Sequence, residues 1–239
     1  PGIVCTGDID NETYTFAITE PISANVIDGV AKFDNINVFQ GTYLEKQFTY
    51  DGSLDQRFIL DNSFIDTSKI VVYVKKSTDS GDGIQYSLVN DIITIDSNSK
   101  IFLIKEIQDE KYELKFGDGF FGKKLGEETG SDGNIITVRY ITTDGEDGNG
   151  AQRFTFSGRL TDTNKNAVNL ESTPIIPSES IVKSQNGGNI ESIDSIKYFS
   201  PLLYSSQNRA VTARDYEAII KKIYPNTESI SVIGGEDLD

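Results

Sequence analysis

The chemistry open to this chain is that of carboxylates, because it carries 37 Asp and Glu residues, no His and a single Cys. Without imidazole there is no ordinary general base near neutral pH, no serine triad of the usual kind and no nitrogen ligand for a transition metal. One thiol excludes a thiolate zinc site within the chain, and Cys5 has no Lys, Arg or His beside it to lower its pKa. Asp79, Asp82, Asp144, Glu146 and Asp147 place hard oxygens in glycine-bearing loops, which suits calcium. Neither loop has the ligand spacing or terminal Glu of an EF-hand, so solvated acidic turns are the preferred reading and no cofactor is assigned. Paired carboxylates serve glycoside hydrolysis, but among so many some pair always lies at a suitable separation, and the signal has no specificity. Gly117-Asp118-Gly119-Phe120-Phe121-Gly122 lacks the Gly-Lys-Ser/Thr ending of a phosphate loop and follows a strand without opening a helix. It reads as a structural turn, and the chain is not expected to be an enzyme.

Charge narrows the partners. Against those carboxylates stand 22 Lys and Arg, a net charge of −15, which repels phosphate backbones and anionic lipid. Nucleic acid is not expected as a partner. No apolar run approaches the roughly 18 to 20 residues of a membrane span, and the first residues lack the blocks of a signal peptide. Membrane insertion is not expected, and assembly in a reducing cytoplasm is. The absence of Met and the endings Pro1-Gly2-Ile3-Val4 and Gly234-Gly235-Glu236-Asp237-Leu238-Asp239 suggest an excerpt lacking sequence at both ends.

The elements that carry these residues read as mainly β: an antiparallel β-sandwich domain over residues 36–150, followed by a smaller α+β part with two helices. Lys69–Lys75 and Lys100–Lys105 are rich in β-branched and aromatic residues and read as central strands buried on more than one face. Tyr112, Leu114 and Phe116 alternate with Glu113 and Lys115, and Ile136, Val138 and Tyr140 alternate with Thr137 and Arg139, as half-buried surface strands do. Asp51-Gly52, Ser80-Gly81-Asp82-Gly83, Gly117-Asp118-Gly119 and Asp132-Gly133 supply the reversals. Asp144–Gly150 closes the domain. Residues 1–35 flank it as strands; if Thr13–Phe39 pairs with Arg153–Phe156, the sandwich is an insertion into a second domain. Within 151–189, the polar stretch Thr161–Gln185, with Pro174 and Pro177, reads equally as an arm on a neighbour or a solvated linker.

Residues 190–239 form the α+β unit. Ile190, Ile193, Ile196 and Lys197 take helical spacing after Gly187-Gly188, with Asn189 as N-cap and Glu191 in the first turn, and Pro201 ends or kinks the helix near Phe199. Thr212 caps a second helix, with Asp215 at the capping-box position and Tyr216, Ile219, Ile220 and Ile223 as its apolar stripe. Tyr224-Pro225 stops it, and Glu228–Ile233 returns to a strand pattern.

Gly188-Asn189-Ile190-Glu191-Ser192-Ile193, the downstream Pro201, and Arg209-Ala210-Val211-Thr212 leading to Asp215-Tyr216 together resemble the baseplate J-like family of contractile-tailed bacteriophages, which includes the baseplate wedge subunits of T-even-type phages. The Phe116–Gly122 turn and the loop ending Asn149-Gly150 share in that resemblance, and the matches span about half of the chain. The resemblance implies a structural virion protein of the tail baseplate. Such subunits associate with other wedge proteins and in homodimers, forming a ring that joins wedges around a hub and changes shape when sheath contraction is triggered. No catalytic residues come with it. The motif residues take local roles: Gly188, Glu191 and Thr212 shape helix starts, Arg209 pairs with Glu191 or Asp215 or is solvated, Tyr216 anchors its helix in the core, and Gly117, Asp118 and Gly119 form a turn. The alternative is a tail-associated carbohydrate-binding or glycan-hydrolysing β-sandwich module, disfavoured by the absence of Trp.

Overall fold

A computed structural model describes residues 1–53, 55–89, 95–126, 134–168, 183–224, 227 and 229–235. They fall into two compact units, Pro1–Asp144 with Ala151–Lys183 and Gly145–Gly150 with Ser184–Asp239. In chain order the strands of the first unit are β1 Gly2–Ile9, β2 Glu12–Ile18, β3 Val26–Ile27, β4 Val30–Ala31, β5 Phe39–Gln40, β6 Thr42–Thr49, β7 Phe58–Leu60, β8 Val71–Lys76, β9 Ile84–Leu88, β10 Ile101–Ile107, β11 Lys111–Phe116, β12 Asn134–Thr142 and β13 Gln152–Phe156.

A seven-stranded sheet in the order β6-β12-β8-β9-β10-β11-β7 forms the body of this unit. Its pairings are antiparallel except for β9 with β10. Phe58 and Leu60 of one edge strand join Val72, Phe102, Leu114, Ile136 and Val138 in a single core, against which Leu44 and Phe48 of the other edge strand pack. The sheet therefore curls around its own core. The mainly-β expectation holds, with sandwich-like layers made by opposed strands of one sheet rather than by two separate sheets. Each fully buried aliphatic or aromatic side chain contributes about 2 kcal/mol through the apolar surface it removes from water.

The two edges do not pair through their backbones, and side chains close the gap. Lys46 donates to Asp61 at 2.6 Å, the Phe48 and Phe58 rings meet edge to face at 5.6 Å, and the Tyr140 hydroxyl donates to Asn62 at 2.6 Å. Gln56 donates to the Thr49 carbonyl at 2.6 Å, occupying an acceptor at the end of β6.

A four-stranded sheet in the order β13-β1-β2-β5 lies in the same unit. Thr13–Phe39 reaches Arg153–Phe156 through β1, which pairs with both β2 and β13. The chain passes from this sheet to the larger one at Gly41, whose φ is +137° and where a Cβ would lie 2.3 Å from the Thr142 carbonyl oxygen. Only glycine fits that corner. β3 and β4 form a separate hairpin.

Two burial expectations reverse. β10 is central in strand order, yet only Ile101 and Phe102 are buried and Leu103 is exposed. β12 is covered on both faces, with Thr137 and Arg139 buried alongside Ile136, Val138 and Tyr140. The alternation of β12 identified its two faces but could not show that the polar one is covered as well. Arg139 tolerates that position because every nitrogen of its fork has a partner: Nε donates to Glu45 at 3.0 Å, while Nη1 and Nη2 donate to Asp82 at 3.2 and 2.8 Å. Its guanidinium also lies 4.9 Å from the Tyr73 ring centroid. Burial alone would disfavour the cation, but the hydrogen bonds to Asp82 and Glu45 outweigh it and raise the Arg139 pKa. For an acid the sign is opposite, and burial pushes the Tyr43 hydroxyl up to about 12.

Arg139→Ala should lower stability by about 2 kcal/mol in urea denaturation, less than a fully buried pair because Glu45 and Asp82 keep contact with water. The pH dependence has a definite sign. Hydrogen bonds from Arg139 and Lys46 lower the folded-state pKa values of Asp82 and Asp61. Their contribution is therefore complete above the unfolded-state value of about 4 and is lost as pH falls through the lower folded values. The urea midpoint should fall with acidification below about pH 4, and Asp82→Asn should flatten that fall.

Candidate functional site

The second unit begins with a strap. Asn149 donates through Nδ2 to the Gly187 carbonyl at 2.9 Å and accepts the Gly187 N–H through Oδ1 at 2.8 Å, as a β-bridge partner would. On either side, the Gly150 N–H donates to the Ser184 carbonyl at 2.8 Å and the Ser184 hydroxyl donates to the Gly148 carbonyl at 2.6 Å. A Cβ at Gly187 would lie 2.2 Å from the Gly145 oxygen, so the close approach requires glycine. The structure thus joins two sequence features read separately, the loop ending Asn149-Gly150 and the Gly187-Gly188-Asn189 run. Gly188 sits half-buried within this strap.

Asn189 is consequently not the helix cap. Its Oδ1 faces the Glu146 N–H at a long 3.5 Å, and the first helix, α1, spans Ile193–Ser206 with Ser192 as N-cap, accepting from the Ser195 N–H at 3.2 Å. Glu191 precedes the cap and accepts from the Ser195 hydroxyl. Pro201 does not end the helix, which continues through it to Ser206. An internal proline costs about 3 kcal/mol in a helix, through its missing N–H and its clash with the preceding turn. Here Pro201 is exposed, so water reaches the freed carbonyl, while Leu202, Leu203 and Ser206 beyond it are buried or half-buried and hold the last turn in place.

Gln207 and Asn208, both in the left-handed region at φ +47° and +59°, turn the chain into the second helix, α2, at Ala213–Ile223. Thr212 Oγ1 accepts from the Asp215 N–H at 3.3 Å, and Asp215 Oδ2 accepts from the Thr212 and Val211 N–H groups at 2.8 and 3.2 Å. Those backbone donors lower the Asp215 pKa. Lys222 Nζ reaches back to Asn208 Oδ1 at 2.8 Å, pinning the last turn to the connection.

Arg209 and Tyr216 differ from expectation. Arg209 is exposed and donates to Gln207 at 3.3 Å, with no ion pair to Glu191 or Asp215 among the described residues, since Asp215 is engaged in the cap. Tyr216 is 48% exposed and does not anchor a core. The buried residue of α2 is Ala218, on the opposite side of the helix from the apolar stripe. Ile219 and Ile220 are half-buried, and Ile223 and Tyr224 are exposed. On α1, Ile193, Ile196 and Tyr204 share one solvent-facing side, with Tyr204 87% exposed. Two helices and their loops have too few layers to cover both sides. No strand forms over 229–233; Glu228, Pro225, Asp132-Gly133, Pro174 and Pro177 lie outside the described residues.

In the first unit, Asp118 Oδ1 accepts the Phe120 and Phe121 N–H groups at 2.8 and 2.7 Å, and the Gly119 N–H donates to the Gly122 carbonyl at 3.0 Å. A Cβ at Gly117 would fall 2.2 Å from Gly122, so the turn is confined to glycine there. Phe120 projects from it 90% exposed. Of the acidic candidates, Asp82 is engaged by Arg139, Asp144 accepts from Gln40, and Glu146 and Asp147 lie exposed on a single 3-10 turn. Among the described residues no three His, Cys, Asp or Glu side chains gather as a metal site, and no helix is long and apolar enough to cross a membrane. Cys5 is half-buried, and burial pushes its thiol up to about 11, away from a reactive thiolate.

The first unit is mainly β, and the second carries two helices with exposed apolar side chains. No family model matches the chain. It is similar to the baseplate wedge protein gp6 of Enterobacteria phage T4, at 25% identity over 225 residues, covering 90% of this chain and 33% of that protein. This distant homology links the chain to baseplate wedge proteins in general, and the chain spans about a third of that relative's length.

Thr212→Ala should cost about 1 kcal/mol by removing the hydroxyl acceptor at the start of α2. The loss should appear as reduced helical circular dichroism at intermediate urea, whereas Arg209→Ala should leave the curve unchanged.

Proposed function

We propose that the chain is a structural virion protein of a contractile-tail baseplate and not an enzyme. It contributes to the ring that joins wedges around the hub and changes conformation when contraction is triggered. Its partners are a second copy of itself and other baseplate wedge proteins, and its place is the virion, after assembly in the host cytoplasm. The observation that carries this reading is the exposure of Ile193, Ile196 and Tyr204 on α1. An amphipathic helix normally turns such residues to a core, so their exposure calls for a protein partner. The distant relationship to a baseplate wedge protein supports assembly as the use of that surface.

Light scattering of the purified chain should give a dimer. Ile196→Glu combined with Tyr204→Glu should give a monomer with unchanged helical circular dichroism, because both positions face water in the isolated chain. A wild-type chain that stays strictly monomeric and shifts its mobility on a polysaccharide gel would instead favour a glycan-binding module.

A further inference from the structure

The strap of the second unit contains both Asn-Gly steps of the chain, Asn149-Gly150 and Asn186-Gly187. Such steps are chemically unstable for a simple reason. Glycine lacks the side chain that would hinder its own backbone nitrogen from attacking the preceding asparagine's amide carbon. A new nitrogen–carbon bond closes a succinimide ring, the bond to the side-chain amide nitrogen breaks, and ammonia leaves with the proton given up by the backbone. Water then opens the ring at either carbonyl to give Asp or isoaspartate, so water is the sole co-reactant.

The two steps are held differently. At Asn149 both reacting groups are engaged, since its side-chain amide is bonded to Gly187 and the Gly150 N–H donates to Ser184. Asn186 is exposed in the left-handed region at φ +69°, and its side chain makes no hydrogen bond among the described residues. What restrains it is the next amide: the Gly187 N–H is held by Asn149 Oδ1 at 2.8 Å. We propose that Asn186 is a spontaneous deamidation site gated by Asn149, reacting only when the strap opens and frees the Gly187 nitrogen. The product works against reclosure. A carboxylate adds to a chain already at −15, and isoaspartate inserts an extra backbone carbon that shifts Gly187 out of register with Asn149. Opening and modification therefore reinforce each other, and the loop Gly145–Gly150 is progressively released from residues 184–189. The inference does not depend on the baseplate reading.

The test incubates the whole chain and a synthetic peptide covering residues 183–190 at mildly alkaline pH, and follows Asn186 by peptide mass spectrometry. In the wild type, conversion should run at least about tenfold slower than in the peptide, because only the locally opened fraction reacts. Asn149→Ala should move the rate toward that of the peptide. Asn149→Asp keeps an oxygen to accept the Gly187 N–H and should stay slow. Wild-type conversion at the peptide rate would overturn the proposal, as would a slow rate in Asn149→Ala with its helical circular dichroism intact. Should Asn149→Ala unfold, the wild type and Asn149→Asp decide: both must be slow for the proposal to stand.

Discussion

The first unit has to bury a core with one sheet, and everything else in it follows from the meeting of that sheet's two free edges. β6 and β7 do not share backbone hydrogen bonds, so Lys46 with Asp61, Phe48 with Phe58, and Tyr140 with Asn62 span the gap. Open edges are templates for unwanted pairing, and side chains packed across the gap shield these two while enclosing the apolar core. Curling also sets the corner at Gly41, where the chain leaves one sheet for the other with no room for a Cβ. β12 is covered on both faces, which is why Arg139 needs two carboxylates and a tyrosine ring around it. Such a buried ion cluster stabilises little by itself, since desolvation offsets the attraction, but it penalises any register that leaves the cation unpaired.

The second unit is organised on the opposite principle. It is stabilised by a few polar devices: a backbone-mimicking asparagine, glycines that permit close approach, a capping box and a lysine tied back to Asn208. These fix geometry over short distances and leave apolar faces over. Here the uncovered sides of α1 and α2 are the physical basis on which the proposed role in assembly rests. The shape of the strap also couples sequence chemistry to structure, since the same hydrogen bond that orders Gly187 restrains the reactivity of Asn186.

Much of this was legible residue by residue. β-branched runs identified β8, the Asp-Gly pairs located the reversals at Ser80–Gly83 and Gly117–Gly119, and Thr212 with Asp215 marked a helix start. Each depends on interactions within a few residues, where sequence spacing is spatial spacing. The positions that depart from their local pattern share a different property. Proline chemistry allows an end or a kink at Pro201; the helix does not end there, because packing on the residues beyond it carries it through to Ser206. Tyr216 had the type and spacing of a core residue but no second layer to cover it. Arg209 had suitable acidic neighbours in sequence, yet Asp215 was already engaged by backbone donors.

By itself the sequence determined the mainly β character with a helical end, the turn and cap chemistry, and a charge that disfavours nucleic acid, because these follow from local sterics, periodicity and composition. Only the tertiary structure decided that one sheet encloses the core, that the polar face of β12 is buried, that Asn149 meets Gly187, and which sides of the helices remain bare. Those outcomes depend on which distant segments come together. Burial of a given residue is a property of its neighbours in space, which no local pattern specifies.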